Sequence, residues 1–217
     1  MDDQQGLASI KALPRIAISS PLMHQSTAAN ESKYASDDQH QTKFKFCEMS
    51  FKILYASSTG HTEYIAEKLN ELIPNSKLQD VDDLEDITEL NNCKTLICCI
   101  PTWNTGADEG RSGTSWDQKF EAIRSTDFSN TSVGIVGLGD SAAFSKYFCD
   151  AMEELHSSFS AAGANIIGQV STEDYIYDDS KSIIDGMFCG LPIDEDNESE
   201  KTDDRLRNWA EQILEIS

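Results

Sequence analysis

Residues 57–62, with the sequence SSTGHT, concentrate hydrogen-bond donors between an apolar strand pattern and an amphipathic helix pattern. The hydroxyl groups belong to Ser57, Ser58, Thr59 and Thr62. Gly60 allows the backbone to turn tightly, and the helix start adds unpaired N–H groups and the positive end of its dipole. This pattern favours the binding of a phosphate or another anion. His61 either donates a hydrogen bond to this anion or faces solvent. A Ser/Thr-rich helix cap that binds nothing is the alternative interpretation.

Two common phosphate loops are excluded for this stretch. A nucleotide-hydrolysing loop needs the pattern GxxxxGK[ST], whereas this loop is too short and lacks the lysine. The GxGxxG pattern of dinucleotide-binding loops is also missing here. The chemistry predicted for the loop is therefore anion binding without a positive side chain.

Trp103 belongs to a second loop, IPTWNTGADEGRSGTSWD, which begins at Ile100. The residue directly follows the end of a predicted strand and stands among turn-forming residues. A tryptophan in this position is either a lid on the core or a wall on which an aromatic ligand stacks. Position alone leaves both interpretations open.

A third loop, GLGDSAAFSKYF, combines glycine, an acid and aromatic residues. Gly139 allows close approach of the backbone, and Asp140 can accept a hydrogen bond from a ring N–H. Phe144 and Tyr147 supply aromatic surface for a ligand, or else merely cover the core. The three loops together have the donors, acceptors and flat surfaces to bind a phosphate attached to an aromatic ring.

Alternating strand and helix patterns must position these loops. The predicted strands span residues 51–57, 76–81, 94–100, 132–139 and 164–170, and the predicted helices span residues 61–73, 115–125, 146–162 and 202–216, with Ser115 as an N-cap. This alternation predicts an α/β fold with right-handed crossovers and a parallel sheet. Ligands of such sheets bind beyond the carboxyl ends of the strands, where all three loops begin.

Residues 1–49 are polar and lack a periodic pattern, so we predict a disordered N-terminal extension followed by one domain over residues 50–217. The extension begins MDDQQ and contains acids, which is not typical of a targeting peptide. Of 17 Lys/Arg and 38 Asp/Glu residues, 12 and 32 belong to residues 50–217. A domain this acidic is a poor partner for nucleic acid or an anionic membrane, and no apolar run is long enough to span a bilayer.

The cysteines are Cys47, Cys93, Cys98, Cys99, Cys149 and Cys189. No two of them form a CxxC pair, and three lie in or beside the apolar run CKTLICCI. We interpret them as free, buried thiols rather than as disulfides or metal ligands. Free thiols suit a reducing compartment. The expected location is the cytoplasm or the plastid stroma.

In these motifs the sequence resembles a known family. SSTGHT is similar to the phosphate loop of the long-chain flavodoxins, PTWNTG to their tryptophan loop, and GLGD followed by an aromatic residue to their second flavin loop. The segment 174–213 resembles the insertion in the last strand that marks the long-chain class, together with the final helix. The resemblance covers about residues 50–217 and is strongest to the algal forms.

This resemblance implies a flavodoxin-like, doubly wound, five-stranded parallel sheet in the order 2-1-3-4-5, with helices on both faces and non-covalent FMN at its carboxyl edge. It implies that Trp103 stacks on the inner face of the isoalloxazine ring. The Asn104–Thr105 peptide would lie near flavin N5, where a carbonyl turned toward N5–H favours the semiquinone. The full set of implied FMN-binding residues is Ser57, Ser58, Thr59, Gly60, His61, Thr62, Pro101, Thr102, Trp103, Asn104, Thr105, Gly106, Leu138, Gly139, Asp140, Phe144 and Tyr147.

The third loop departs from the family pattern. Phe144 stands where the family usually has a stacking tyrosine, and it keeps the aromatic surface without the phenol group. Lys146 and Tyr147 stand where the family usually has an acid and an asparagine. We expect FMN to bind nevertheless, with Tyr147 compensating for the missing tyrosine.

The resemblance implies a low-potential, one-electron carrier that shuttles between semiquinone and hydroquinone and acts on no substrate other than electrons. The expected partners are redox proteins with basic patches, similar to ferredoxin–NADP reductase, and photosystem I in a photosynthetic host; we expect a monomer. Candidate docking charges are Asp82, Asp83, Glu85, Asp86 and the run DEDNESE that begins at Asp194. The alternatives are a flavodoxin-like NAD(P)H:quinone reductase and a non-redox binding module that has lost FMN.

Overall fold

The computed structural model describes residues 51–105 and 111–216. The disorder predicted for residues 1–49 and the role predicted for Gly106 lie outside the described residues. The strands are β1 (Phe51–Tyr55), β2 (Ser76–Asp80), β3 (Thr95–Pro101), β4 (Ser132–Leu138), β5 (Asn165–Ile167), β6 (Val170–Ser171), β7 (Ile183–Ile184), β8 (Met187–Phe188) and β9 (Leu191–Ile193). The helices are α1 (His61–Leu72), α2 (Phe120–Arg124), α3 (Ala151–Ala161) and α4 (Ser199–Ile216).

The main sheet has the strand order β2-β1-β3-β4-β5, and all of its strand pairs are parallel. This confirms the predicted fold class and order. All seven residues of β3 are buried, as expected for a central strand that is covered on both faces. The carboxyl ends of β1, β3 and β4 therefore lie at one edge of the sheet, next to one another.

The edge strand beside β4 is divided in two. β5 pairs with the first part of β4 and β9 pairs with its last part, so that residues 168–190 form an insertion. β6, β8 and β7 form a small antiparallel sheet within it. The prediction of one strand over residues 164–170 is wrong after Ile167, because Gly168 has a φ of 78° and leaves the sheet. The indole Nε1 of Trp209 donates to the Gly168 carbonyl oxygen at 2.7 Å and fixes this turn.

Three helices start at residues other than those predicted. Residues 115–118 form a short 3₁₀ helix before α2, and its N-cap is Thr114 rather than Ser115. α3 begins at Ala151 rather than at residue 146, because Cys149 has a φ of 53°, a left-handed conformation that a continuous right-handed helix does not allow. α4 starts at Ser199, three residues before the predicted residue 202.

Apolar clusters cover both faces of the sheet. On one face, residues such as Phe120 of α2 and Leu155 of α3 pack with Trp116. On the other face, Ile65 of α1 and Trp209 of α4 belong to the second cluster. The sheet is thus held between two pairs of helices, as predicted, and this rigid support fixes the positions of the loops at its carboxyl edge.

The five cysteines in the described part of the chain are all free thiols, and four of them are buried. Cys93 is half-buried, and Cys47 lies outside the described residues. Among the helices of residues 51–105 and 111–216, none has the length and apolar character needed to cross a bilayer.

Candidate functional site

The three predicted loops and the segment before α4 line one cleft at the carboxyl edge of the sheet. The cleft is open to solvent, and its empty space, solvent included, is about 590 Å³. The lining residues are Thr59, His61, Thr62, Pro101, Thr102, Trp103, Leu138, Gly139, Asp140, Phe144, Glu195 and Asp196. Ten of the predicted site residues thus come together in this cleft, while Ser57, Ser58, Gly60, Asn104, Thr105 and Tyr147 are not among its lining residues.

The first loop leaves the start of α1 open. Gly60 takes the N-cap position with a φ of 95°, and it has no side chain with which to cap the helix. Ser57 Oγ accepts a hydrogen bond from the Gly60 N–H at 2.9 Å and closes the turn. The N–H groups of the first helical turn have no intrahelical acceptors, so they are available to an anion beside Thr59 and Thr62.

Trp103 lies on the wall of the cleft and is 50% exposed. A tryptophan that served as a lid on the core would be buried, as Trp116 is in the same loop region. The exposed indole therefore agrees with the interpretation of a stacking wall. At its base, Thr102 donates its N–H to the Leu138 carbonyl oxygen at 3.0 Å, which joins the second loop to the end of β4.

The return segment of the second loop supports Trp103 from below. A Cβ atom on Gly113 would lie 3.0 Å from the Trp103 Cβ, and Gly113 has a φ of 63°, so a glycine is required at this point. The Gly113 N–H donates to Asp117 Oδ2 at 3.0 Å, and the buried Ser112 hydroxyl bonds to the other oxygen of Asp117. These contacts could not be predicted from the sequence, because GRSGT resembles any turn-forming stretch.

Asp140 uses its Oδ1 atom to shape the third loop. This oxygen accepts hydrogen bonds from the N–H groups of Ala143 at 2.8 Å and Ala142 at 3.0 Å, and from Nδ2 of Asn197 at 2.9 Å. The hydrogen bond from the Ala143 N–H is the main cause that lowers the pKa of Asp140. The carboxylate is therefore charged at neutral pH.

Gly139 is required by packing against the segment before α3. A Cβ atom on this residue would lie 2.8 Å from the backbone nitrogen of Cys149 and 3.0 Å from its Sγ atom. The Gly139 N–H donates to the carbonyl oxygen of Ile193 at 3.1 Å. The third loop therefore packs between β9 and the left-handed turn at Cys149.

Four residues of the segment DEDN, residues 194–197, belong to the site or its support and were not predicted as such. Glu195 and Asp196 line the cleft. Asp194 is fully buried and accepts hydrogen bonds from the N–H (3.0 Å) and hydroxyl (2.5 Å) of Ser141. The interpretation of this run as docking charges is therefore wrong for Asp194, because its carboxylate is turned inward onto the third loop.

Phe144 and Tyr147 occupy different positions relative to the cleft. Both rings are substantially exposed, at 47% and 38% respectively. Phe144 lines the cleft, whereas Tyr147 lies outside the lining and its N–H donates to the Phe144 carbonyl oxygen. The aromatic surface offered to a ligand by the third loop is thus that of Phe144, and compensation by Tyr147 stays a prediction.

The charge of the cleft is negative. Asp140, Glu195 and Asp196 line it, and no lysine or arginine of the described residues is among its lining side chains. The start of α1, with its N–H and hydroxyl groups, is therefore the part of the cleft best suited to an anion. Elsewhere in the cleft, a ligand group that gains negative charge is disfavoured by the three carboxylates.

Comparison with known proteins decides the family. A family model described as flavodoxin matches residues 53–209. The chain belongs to the flavodoxin family. The matched segment contains all three loops of the cleft and the divided edge strand.

Other flavodoxins are similar over nearly their whole length. The flavodoxin of Nostoc sp. is 36% identical over 169 residues, which cover 76% of this chain and 96% of the relative. The flavodoxin of Buchnera aphidicola is also 36% identical, and the aligned residues cover 75% of this chain and 94% of that relative. Among solved structures, the Fusobacterium nucleatum flavodoxin bound to flavin mononucleotide has 28% sequence identity and a TM-score of 0.71. The match covers 77% of this chain and 98% of that chain.

Proposed function

We propose that this flavodoxin is a low-potential one-electron carrier that uses non-covalently bound FMN. The observation that carries the proposal is the cleft itself. It combines an uncapped helix start rich in hydroxyl groups with the half-exposed indole of Trp103, on the walls of one cleft. These are the two kinds of group that a phosphate and a flat aromatic ring require.

The residues present fit FMN part by part. Residues 57–62 and the first turn of α1 would hold the phosphate. Trp103 and Phe144 would lie against the ring, and Gly139 and Asp140 would contact its polar edge. FMN supplies the exchange of single electrons when it is bound, and the chain supplies its binding, orientation and electrostatic environment.

The acidic cleft supports a low potential. Asp140, Glu195 and Asp196 line it, and the domain of residues 50–217 carries 20 more acidic than basic residues. A reduction that adds negative charge in such surroundings costs free energy, so the potential of that step falls. The aromatic walls act in the same direction, because they exclude water that would otherwise solvate the charge.

The acidic surface also supports a particular class of partner. Asp82, Asp83, Glu85 and Asp86 are all exposed. These charges would steer the carrier toward redox proteins with basic patches, of the ferredoxin–NADP reductase kind, and toward photosystem I if the host is photosynthetic. The free thiols support a reducing compartment, the cytoplasm or the plastid stroma, and we propose that the carrier acts as a monomer on no substrate other than electrons.

Titration of the apoprotein with FMN tests the proposal, with loss of flavin fluorescence as the signal. Riboflavin is the matched control, because it has the same ring and no phosphate. We expect FMN to bind with a Kd about 100-fold or more below that of riboflavin, since several N–H donors surround the predicted phosphate position. Absence of FMN binding would contradict the proposed function, and equal affinities would contradict the assignment of residues 57–62.

A further inference from the structure

Arg111 lies beneath the second loop and is only 4% exposed. Its carbonyl oxygen accepts two hydrogen bonds, from the N–H of Trp103 at 2.9 Å and from the N–H of Asn104 at 2.8 Å. The peptide groups on both sides of the Trp103 Cα are therefore oriented by one backbone atom. Whatever fixes Arg111 also fixes the direction in which the indole leaves the backbone.

The side chain of Arg111 is fixed by two carboxylates of α3. Its Nη2 atom lies 2.7 Å from Oε1 of Glu154 and 3.0 Å from Oε2 of Glu153. Glu154 is itself buried, with 9% of its side chain exposed, and Arg124 approaches its other oxygen at 3.8 Å. The return segment of the second loop is thus joined to a helix more than 40 residues later in the chain.

A second connection ties the outgoing segment of the loop to the same helix. The N–H of Ala151, the first residue of α3, donates to Oγ1 of Thr102 at 3.2 Å. Trp103 and Asn104 therefore lie between two attachments to α3, one at Thr102 and one at Arg111. A displacement of this loop relative to α3 would have to break one of them.

The ion pairs at Arg111 are poorly suited to a purely stabilising role. Burial is the main cause that raises the pKa of Glu154, and it outweighs the opposite effect of Arg111. The attraction within a buried ion pair does little more than offset the free energy lost when its charges leave water. Replacing such a pair with apolar residues is therefore often neutral for stability. What these contacts supply is a fixed position, because the one Nη2 atom of Arg111 lies against the carboxylates of both Glu153 and Glu154.

We propose that Arg111 is a positioning residue that sets the orientation of Trp103 and Asn104 in the cleft. Through this orientation it controls the affinity for FMN and the potentials of the bound flavin. This inference rests on the proposed function for its flavin readouts. The positioning itself concerns only the described residues of the chain and is measurable without FMN.

The first test is amide hydrogen exchange in the apoprotein, followed residue by residue. Arg111→Met keeps the carbonyl group and removes the charge, and Arg207→Met is the matched control in an exposed ion pair with Asp204. We expect the Trp103 and Asn104 amides to exchange about tenfold faster in Arg111→Met, with β3 amides and the control unchanged. Unchanged exchange at these two amides would overturn the proposal.

The second test uses the FMN-loaded protein and measures the Kd and both one-electron potentials. We expect Arg111→Met to weaken FMN binding about tenfold and to shift at least one potential, and Arg111→Lys to restore part of both effects. Should Arg111→Met fail to fold, Glu154→Gln removes the nearer ion pair and is expected to act in the same direction. Wild-type affinity and potentials in these variants would overturn the proposal. Failure of the wild-type protein to bind FMN would instead contradict the proposed function and leave the exchange test valid.

Discussion

Nδ2 of Asn197 donates a hydrogen bond to Oδ1 of Asp140 at 2.9 Å, although the two residues are 57 positions apart. The same amide group also contacts both carboxylate oxygens of the buried Asp194 at 3.0 Å. Asp194 in turn accepts from Ser141 of the third loop. The segment before α4 and the third loop therefore form one hydrogen-bonded unit beside the cleft.

Asn197→Ala should loosen this unit. The substitution removes side-chain donors from two carboxylates, and hydrogen bonds to charged groups contribute about 1.5–3 kcal/mol when buried, less when exposed as here. We expect an increase of about tenfold in the Kd for FMN and a fall of about 1 kcal/mol in the free energy of unfolding. Calorimetric titration of the apoprotein and urea unfolding measure the two quantities. Asn92→Ala, at the opposite edge of the sheet, is the control, and an equal effect of both variants would contradict the account.

Gly139→Ala should disturb the third loop by crowding. The new Cβ would lie 2.8 Å from the backbone nitrogen of Cys149, an atom that cannot move without displacing the start of α3. We expect a loss of about 1–3 kcal/mol of stability and a clear loss of FMN affinity. Gly186→Ala serves for comparison, because Gly186 has a φ of 83° and open space around it. Gly186→Ala should lower stability through backbone strain and leave FMN binding unchanged. Wild-type FMN affinity in Gly139→Ala would show that the close approach of Gly139 to Cys149 is unimportant for the site.

Phe144→Ala and Tyr147→Ala should have different effects on FMN binding. Both rings are exposed to a similar degree, but only Phe144 lines the cleft. An aromatic contact contributes about 0.5–1.5 kcal/mol beyond area burial, so Phe144→Ala should raise the Kd about tenfold. Tyr147→Ala should change the Kd less than twofold, a result opposed to the compensation by Tyr147 that the sequence alone predicts. The reverse order of effects in parallel titrations would mean that Tyr147, rather than Phe144, covers the flavin.

Asp150→Asn should stabilise the protein at neutral pH. Asp150 is fully buried, its Oδ1 accepts the Lys181 N–H at 2.8 Å, and its Oδ2 has no hydrogen-bond partner among the described residues. Burial is the main cause that raises the pKa of Asp150 above 3.8, and the charge of Asp179 raises it further. The Lys181 N–H and the charges of Arg111 and Lys181 lower this pKa, but their effect is smaller. Because the folded state holds the proton more tightly than the unfolded state, wild-type stability falls as pH rises between these two pKa values.

The variant lacks this fall, so its advantage over the wild type should grow as the pH rises above the ordinary pKa of an aspartate, about 4. Asp127→Asn is a control in which the effect of pH on stability has the opposite direction, because a hydrogen bond from the Ser129 N–H lowers the pKa of the exposed Asp127. The contribution of Asp127 is present above its ordinary pKa and is lost as pH falls through the lowered value. Urea unfolding at several pH values measures both trends, and a decrease of stability in Asp150→Asn at neutral pH would contradict this account.

Much of the site could be predicted from local patterns. The alternation of strands and helices indicated a parallel sheet, and this alone brings the loops that contain Thr59, Trp103 and Gly139 to one edge. The choice between a lid and a wall for Trp103 could not be made, because burial depends on contacts with distant parts of the chain. Trp116, in the 3₁₀ helix that follows this loop, is fully buried although the local sequence around it is no more apolar.

The supporting residues were missed for the same reason. Asp194 stands in a run of acids and looks like a surface residue, yet hydrogen bonds from Ser141 make its burial possible. Arg111 pairs with Glu153 across 42 positions, and no spacing rule connects them. The late start of α3 depends on the left-handed conformation of Cys149, a residue type that gives no signal for it. Long-range polar contacts therefore mark the limit of prediction from this sequence.

The central claim is that the chain holds FMN and exchanges single electrons. Stepwise anaerobic reduction of the purified protein, followed by visible absorption, tests it most directly. We expect two separate one-electron stages, with a long-wavelength band that rises in the first and disappears in the second at a lower potential. Reduction in a single two-electron stage, or a protein that holds no flavin, would contradict the account.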